Sequence, residues 1–567
     1  MKVYYQTGSS WNRPPSRPKS EQNILTLSYN NWDDFGSKTT LNAALFFEGE
    51  KLLEFSLKTL LSDSNFTAQH LNEKISNGWD GYFPIPGSDY ISVPSDIDLY
   101  SALIGKIGIK STIKVMESIR DAGYLKNIKH DKKAIKLIEK DEFKNSLLRE
   151  AGARKSYSDG WLIFDHGRNS AIENFSLNLE KRNGGSQKVS FEFNSKLLPY
   201  DINVLIGPNG VGKSHCLKSL VEYWLGVDKG SKKELDKTGH EPFDETPNIS
   251  RLILVSYSPF EEYTLDLSDT NLLDKTAYKY FGFRQNIERD GESRIGISRN
   301  LPASDSAHSL LKAFADDEKF SFMPNWIGKV NIINSVLQAA IGYDELALML
   351  TDEVDNDDPF LPDCFRTIND YDYLIVNQEN YDALEFFDFS NSINYQAGVT
   401  FIKNGIPVEL SSGQRLFCYI VINVAGEIKR DSLVIIDEPE LFLHPTLEIE
   451  FISLLKKVLS AFSSKAILAT HSLAIAREIP TRCVHVFREL EDGLDVVNPP
   501  FETFGGDMQR ISTYVFGDDS ISKPFDEWLE TKLTEYGSAN SLISALGREI
   551  NEEIIIKLLN SEIGSGR

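Results

Sequence analysis

Apolar residues recur along this chain in two rhythms, and the places where one gives way to the other divide it into parts. Residues 24–29 and 41–48 carry the short-period pattern of strands, and from Leu99 onward the apolar positions take helical spacing. Together they predict an N-terminal α+β region over residues 1–157 that carries no phosphate chemistry. Residues 175–179 place Phe, Leu and Leu on one face and 189–193 place Val, Phe and Phe, with Asn183-Gly184-Gly185 between them, which predicts a β-hairpin. A buried strand follows at 202–206, then a helix whose apolar face is Leu217, Leu220, Val221 and Trp224 and whose end is marked by Gly226. Another strand is expected at 252–257.

From about 265 to 398 the sequence is mixed helical and polar, with an acidic cluster at 352–358. Strands return at 399–402, 433–436, 466–470 and 484–487. The run Leu433-Val434-Ile435-Ile436 does not alternate, as suits a parallel strand covered on both faces. The expected organisation is therefore one nucleotide-type α/β fold in two parts, 158–264 and 399–495, interrupted by an inserted helical lobe at 265–398. A helical tail, 496–567, follows it, with helices over 526–536 and 549–559. No repeat of fixed period and no heptad run long enough for an extended coiled coil occurs.

The strongest chemical signal lies between the strand at 202–206 and its helix: Gly207-Pro208-Asn209-Gly210-Val211-Gly212-Lys213-Ser214. Glycine accepts positive φ without a Cβ clash, so such a loop can turn successive N–H groups toward one anion. Lys213 then reaches the β- and γ-phosphates of a nucleotide, Ser214 offers its hydroxyl to Mg²⁺, and the helix adds its positive end. Asp437 and Glu438, two acids at the carboxyl end of a parallel strand, stand where ligands bind in such sheets. Asp437 would hold Mg²⁺ through water, and Glu438 would act as general base on an attacking water. Taken alone, an acid pair after a strand is equally a helix N-cap.

Upstream, Leu410-Ser411-Ser412-Gly413-Gln414 opens a helix through Leu416, Phe417 and Ile420. Here the chain resembles the ATP-binding cassette (ABC) superfamily, whose signature LSGGQ appears as LSSGQ. The resemblance implies a P-loop NTPase of ABC-ATPase type, with a mixed sheet and flanking helices. It also implies that Ser411, Ser412, Gly413 and Gln414 act in trans on ATP held by the phosphate loop of a second copy. By the same resemblance His471, in Ala469-Thr470-His471-Ser472, is the switch histidine that contacts the γ-phosphate and orients water with Glu438. The form Asp437-Glu438-Pro439-Glu440 followed by Leu443-His444-Pro445 is similar to OLD-like stand-alone bacterial ATPases, many of them in anti-phage defence modules such as Septu. His444 would then be a helix-start and dimer-contact residue, with Pro445 at the first helical position. The glutamine that usually follows the strand after the phosphate-loop helix is replaced by Ser256-Tyr257-Ser258-Pro259-Phe260, and Gln285 is the nearest candidate.

The resemblance thus implies an ATP- and Mg²⁺-dependent ATPase that forms a homodimer or higher oligomer through its ATP sites. It would act as the sensor or switch of a defence module, beside a separately encoded nuclease or toxin effector. A DNA-repair head of the RecF type is the alternative. A transporter nucleotide-binding subunit fits less well, because ~200 residues separate Ser214 from Ser411. Behind His471 the chain is short for an appended nuclease domain, and Gly517-Asp518-Asp519 reads as a turn.

Composition narrows the setting. Net charge is −23, which works against coating nucleic acid with the whole surface, yet between Lys106 and Lys155 fourteen Lys/Arg face seven acids. That stretch is either a focal nucleic-acid patch or a solvated helix face. No apolar run reaches the roughly twenty residues of a membrane span. Cys216, Cys364, Cys418 and Cys483 lack metal spacing and read as reduced core thiols, so a cytoplasmic location is expected.

Overall fold

The computed structural model describes all residues except 8–14, 32–35, 166–171, 182–183, 266–276, 290–291, 324–325, 352–363, 378–379, 381–391, 491–492, 518–523, 551 and 565–567. Asn183, the acidic cluster at 352–358 and Asp518-Asp519 lie outside the described residues. The chain forms two compact units, Met1–Gly505 and Gly506–Arg567.

The core of the first unit is a seven-stranded sheet. Its order is Tyr278–Gly282, Arg251–Ser256, Ser432–Asp437, Lys465–Thr470, Ile202–Ile206, Val484–Leu490, Gly493–Val497. The first six strands are parallel and only the last, at the edge, is antiparallel. The expected strands at 252–257, 433–436, 466–470 and 484–487 all lie in it, and those at 202–206 and 432–437 are buried along their whole length. This is the sheet of an α/β P-loop NTPase. The helix Lys213–Leu225 ends on Gly226, whose φ of 71° makes it the left-handed cap. Leu217, Leu220, Val221 and Trp224 pack it against the hairpin Phe175–Glu180/Ser186–Phe191 in one apolar core.

The N-terminal residues form a second sheet of five strands, Lys2–Gln6, Ile24–Tyr29, Thr40–Phe47, Glu50–Leu61 and Tyr90–Pro94, in that order. Helices Asp98–Ile119, Ala122–Asn127, Lys132–Ile138 and Ala151–Asp159 follow, and sheet and helices share one core with Met323 of the inserted segment. The inserted segment, expected as a helical lobe, does hold the helices Leu301–Phe320 and Lys329–Ile341. It also supplies the edge strand Tyr278–Gly282 to the central sheet and three strands to a separate antiparallel sheet. The strand Val399–Lys403 belongs to that separate sheet, paired with Glu345–Met349. An apolar run announces a strand but not its sheet, because pairing is settled by segments far away in sequence.

In the second unit, helices Met508–Phe516, Pro524–Tyr536, Ala539–Leu546 and Glu552–Gly564 include a small cluster around Leu529, Ala539, Leu542 and Leu558. Among the described residues no helix is long and apolar enough to cross a membrane.

Candidate functional site

Parallel register gathers the site. Ile206 lies opposite Thr470, and Asp437 lies opposite both Ala469 and Ser256. One step beyond these partners, at the carboxyl ends of three adjacent strands, stand Gly207, His471 and Glu438. The chain passes Gly207 so close to its neighbour that a Cβ there would meet the Phe487 carbonyl oxygen at 2.4 Å, so this glycine is demanded by space. Gly210 and Gly212, at φ 79° and 105°, are demanded by conformation.

Lys213 is nearly buried, and its ammonium donates to the carbonyl oxygens of Gly207 and Pro208, both at 3.0 Å. It lies 2.9 Å from Nε2 of His471. An ammonium offers no lone pair, so Nε2 must accept and the ring proton must sit on Nδ1. Burial, and then the Lys213 charge, pushes the His471 imidazole down to about 4, which keeps it neutral at physiological pH. Burial also lowers the Lys213 pKa, against the pull of Glu438 and Asp437.

Asp437 is 2% exposed. Its Oδ1 accepts from the Ser214 hydroxyl at 3.4 Å and its Oδ2 accepts from the Tyr263 hydroxyl. Burial pushes the carboxyl up to about 7, with the Glu261 and Glu438 charges adding to it and the two hydroxyl donors opposing. A hydroxyl and a carboxylate oxygen brought together in this way form the donor pair that a hard cation such as Mg²⁺ takes. The glycine loop, Lys213 and the helix start fit a polyphosphate. When bound, Mg²⁺ would supply charge neutralisation on the phosphates.

Glu438 adopts φ 52°, ψ 56°, a left-handed conformation that costs a non-glycine residue about 1–3 kcal/mol and is found at functional sites. Its N–H donates to the Ala469 carbonyl at 2.8 Å, and its Oε1 stands 4.0 Å from His471 Nε2. Glu440 accepts the His471 backbone N–H, fixing the start of the loop after Lys465–Thr470.

Sequence reasoning did not find Tyr263 or Glu261. Both lie on the loop after Arg251–Ser256, the strand that neighbours the one ending in Asp437, and no local pattern marks them. Arg284 pins that loop by donating to the Glu261 carbonyl at 2.8 Å. Gln285 sits beside it in the hairpin Arg284–Arg289/Glu292–Ile297, opposite Gly296.

Ser411 caps the helix Ser412–Glu427. Its hydroxyl accepts from the Gln414 N–H, while the Gln414 side chain accepts the Ser411 N–H, so each locks the other. Ser411 and Ser412 are exposed, Gly413 is buried, and none of the hydrogen bonds of Lys213, Asp437 or His471 described above reaches residues 410–414. His444 is exposed and caps Pro445–Ala461 through Nδ1, with Pro445 at the first helical position as expected.

The basic stretch is in part buried or paired and in part exposed, with Lys110, Lys114 and Lys144 among its exposed side chains. Lys155 is buried, Lys129 and Lys133 pair with Glu117 and Asp89, and Lys126 bonds the Tyr157 hydroxyl, while Lys132 and Lys136 are exposed. All four cysteines are buried and unbridged.

Residues 202–477, just under half of the chain, match the family model described as "AAA domain, putative AbiEii toxin, Type IV TA system". The match runs from the phosphate-loop strand past His471, so it contains every residue gathered above. Over these residues the chain therefore carries an AAA-type P-loop ATPase domain, and it is an ATP-hydrolysing enzyme. The curated protein ea59 of Escherichia phage lambda is 22% identical over 561 residues, covering 96% of this chain and 94% of that protein. Among solved structures, the SMC head domain from Thermotoga maritima aligns at 12% identity with a TM-score of 0.26, over 59% of this chain and 100% of that one. An ATP-binding cassette of an ABC transporter in its ADP conformation aligns at 12% identity with a TM-score of 0.26, over 59% and 94%.

Proposed function

We propose that two copies of this chain close head to tail around ATP, each supplying the Ser411–Gln414 helix tip to the phosphate loop of the other. Hydrolysis would then reopen the pair, giving a conformational switch that controls a separately encoded effector. The observation that carries this reading is that Lys213, Asp437, Glu438 and His471 converge at one place while Ser411 and Ser412 of the capped tip stand exposed. Lys213 and the loop amides would bind phosphate, Ser214 and Asp437 would hold Mg²⁺, and neutral His471 with Glu438 would position and deprotonate water.

For biological setting, the family description names a toxin–antitoxin system, and a relative matching nearly full length is encoded by a phage. Both support a role in the conflict between bacteria and their phages, with a defence module as the leading form.

The experiment is sedimentation with Glu438→Gln, which should keep ATP bound and hold the dimer while turnover falls about 10²–10⁴-fold. Adding Ser411→Arg should abolish ATP-dependent dimerisation and leave ATP binding to the monomer intact. Dimers that persist in the double variant would refute the trans arrangement.

A further inference from the structure

At the opposite end of the central sheet from the phosphate loop lies a cavity of about 540 Å³. It is bounded by the amino-terminal approaches to three strands: Arg251, Arg430 and Ser463 stand at or just before Arg251–Ser256, Ser432–Asp437 and Lys465–Thr470. Strand length puts it about 20 Å from the ATP site. The N-terminal sheet, the inserted helices and the ATPase head all contribute walls, and all three belong to the same compact unit.

One wall is apolar and aromatic. Phe320 and Trp326 pack with ring centroids 5.3 Å apart and planes tilted by 46°, and Met323 and Phe462 continue the surface. Trp326 is held in place because its indole N–H donates to Asp317, whose carboxylate also caps the next helix through the N–H groups of Lys329 and Val330.

The other wall is basic. Seven Lys or Arg side chains against four Asp or Glu line the cavity of a chain whose overall charge is −23. The acids are all engaged: Asp96 and Asp98 with Lys429, Asp316 with Lys329, Glu427 with Arg251. Lys319 and Arg430 have no hydrogen bond or ion pair from their charged ends among the described residues. The Lys319 ammonium lies over the Phe320 ring, 5.3 Å from its centroid.

From the aromatic wall and this surplus of cations, we infer that the cavity binds a small anion built on a flat aromatic ring, the chemistry shared by nucleoside monophosphates and cyclic nucleotides. Its volume lies within the range of small-molecule sites, about 300–1,000 Å³. The ring stacks beside Trp326, and the anion meets Lys319 and Arg430. Glu427 and Ile428 place the ligand at the C-terminal end of the helix whose N-terminus is capped by Ser411, 16 residues away.

The test is calorimetric titration of AMP into the full chain. One AMP should bind per chain, with affinity kept within twofold in Lys213→Ala, which disables the phosphate loop. Binding should weaken at least tenfold in Lys319→Glu and in Arg430→Glu, both at exposed positions, with unchanged circular dichroism. Adenosine, lacking the anion, should bind at least tenfold more weakly than AMP. The inference is overturned if neither AMP nor cyclic AMP binds at up to about 1 mM. It is equally overturned if both charge reversals leave AMP affinity unchanged, if Lys213→Ala abolishes binding, or if adenosine binds as well as AMP.

Discussion

Lys155 closes a buried ion cluster that joins the last long helix of the N-terminal region to the ATPase head. Its ammonium lies 2.6 Å from Asp159, 3.1 Å from Asp431 and 3.2 Å from the Asn248 carbonyl, and Lys155 and Asp431 are each 1% exposed. Asp431 immediately precedes the strand that ends in Asp437, and Asn248 lies three residues before the start of Arg251–Ser256. Lys155→Ala would leave two carboxylates facing each other out of reach of water. Removing one partner of a buried pair costs about 3–5 kcal/mol, since the remaining charge keeps its desolvation penalty. At 1.4 kcal/mol per factor of ten, local opening should become roughly 10²- to 4 × 10³-fold more frequent. Hydrogen exchange of the peptide containing Ser432–Asp437 reads that opening directly. Lys155→Met combined with Asp159→Asn and Asp431→Asn, which removes every charge together, should recover most of the loss. If Lys155→Ala leaves exchange of this strand within twofold of wild type, the cluster does not hold the two parts together.

Two further expectations test the site and the fold. Gly207→Ala should cost about 1–3 kcal/mol of stability and lower ATP affinity, because its Cβ would press on the Phe487 carbonyl; wild-type melting and binding would refute the spatial argument. Asp121, enclosed with the Tyr100 hydroxyl at 2.7 Å, is pushed by burial up to about 6, so the folded state favours its protonated form. Its contribution to stability is full below about pH 4 and is lost as pH rises through about 6, amounting to about 3 kcal/mol. Urea unfolding of Asp121→Asn should lack that part of the pH dependence, and identical pH profiles for the two proteins would contradict it.

Much of the head was legible because its signals are local. Non-alternating strands, the glycine loop, the acid pair and the helix caps each lie within a few residues, and parallel register then brings their ends together. What stayed hidden depends on distant pairing. Tyr263 reaches Asp437 only because Arg251–Ser256 and Ser432–Asp437 are neighbours, and nothing around Tyr263 announces that. Lys155 was counted in a basic stretch because its neighbours are Lys and Arg, while the acid that buries it, Asp431, is far along the chain. The strand Val399–Lys403 was read into the nucleotide fold because apolar content does not state which sheet will accept it.

The reciprocal lock between Ser411 and Gln414 bears on the timing of assembly. A recognition element already rigid in the free monomer has little conformational freedom left to surrender on contact, so the entropic cost of docking falls mainly on whole-body orientation. Encounter between two nucleotide-loaded heads would then be limited by how fast they find the right mutual pose, and residence time, not local ordering, would set how long the closed state lasts.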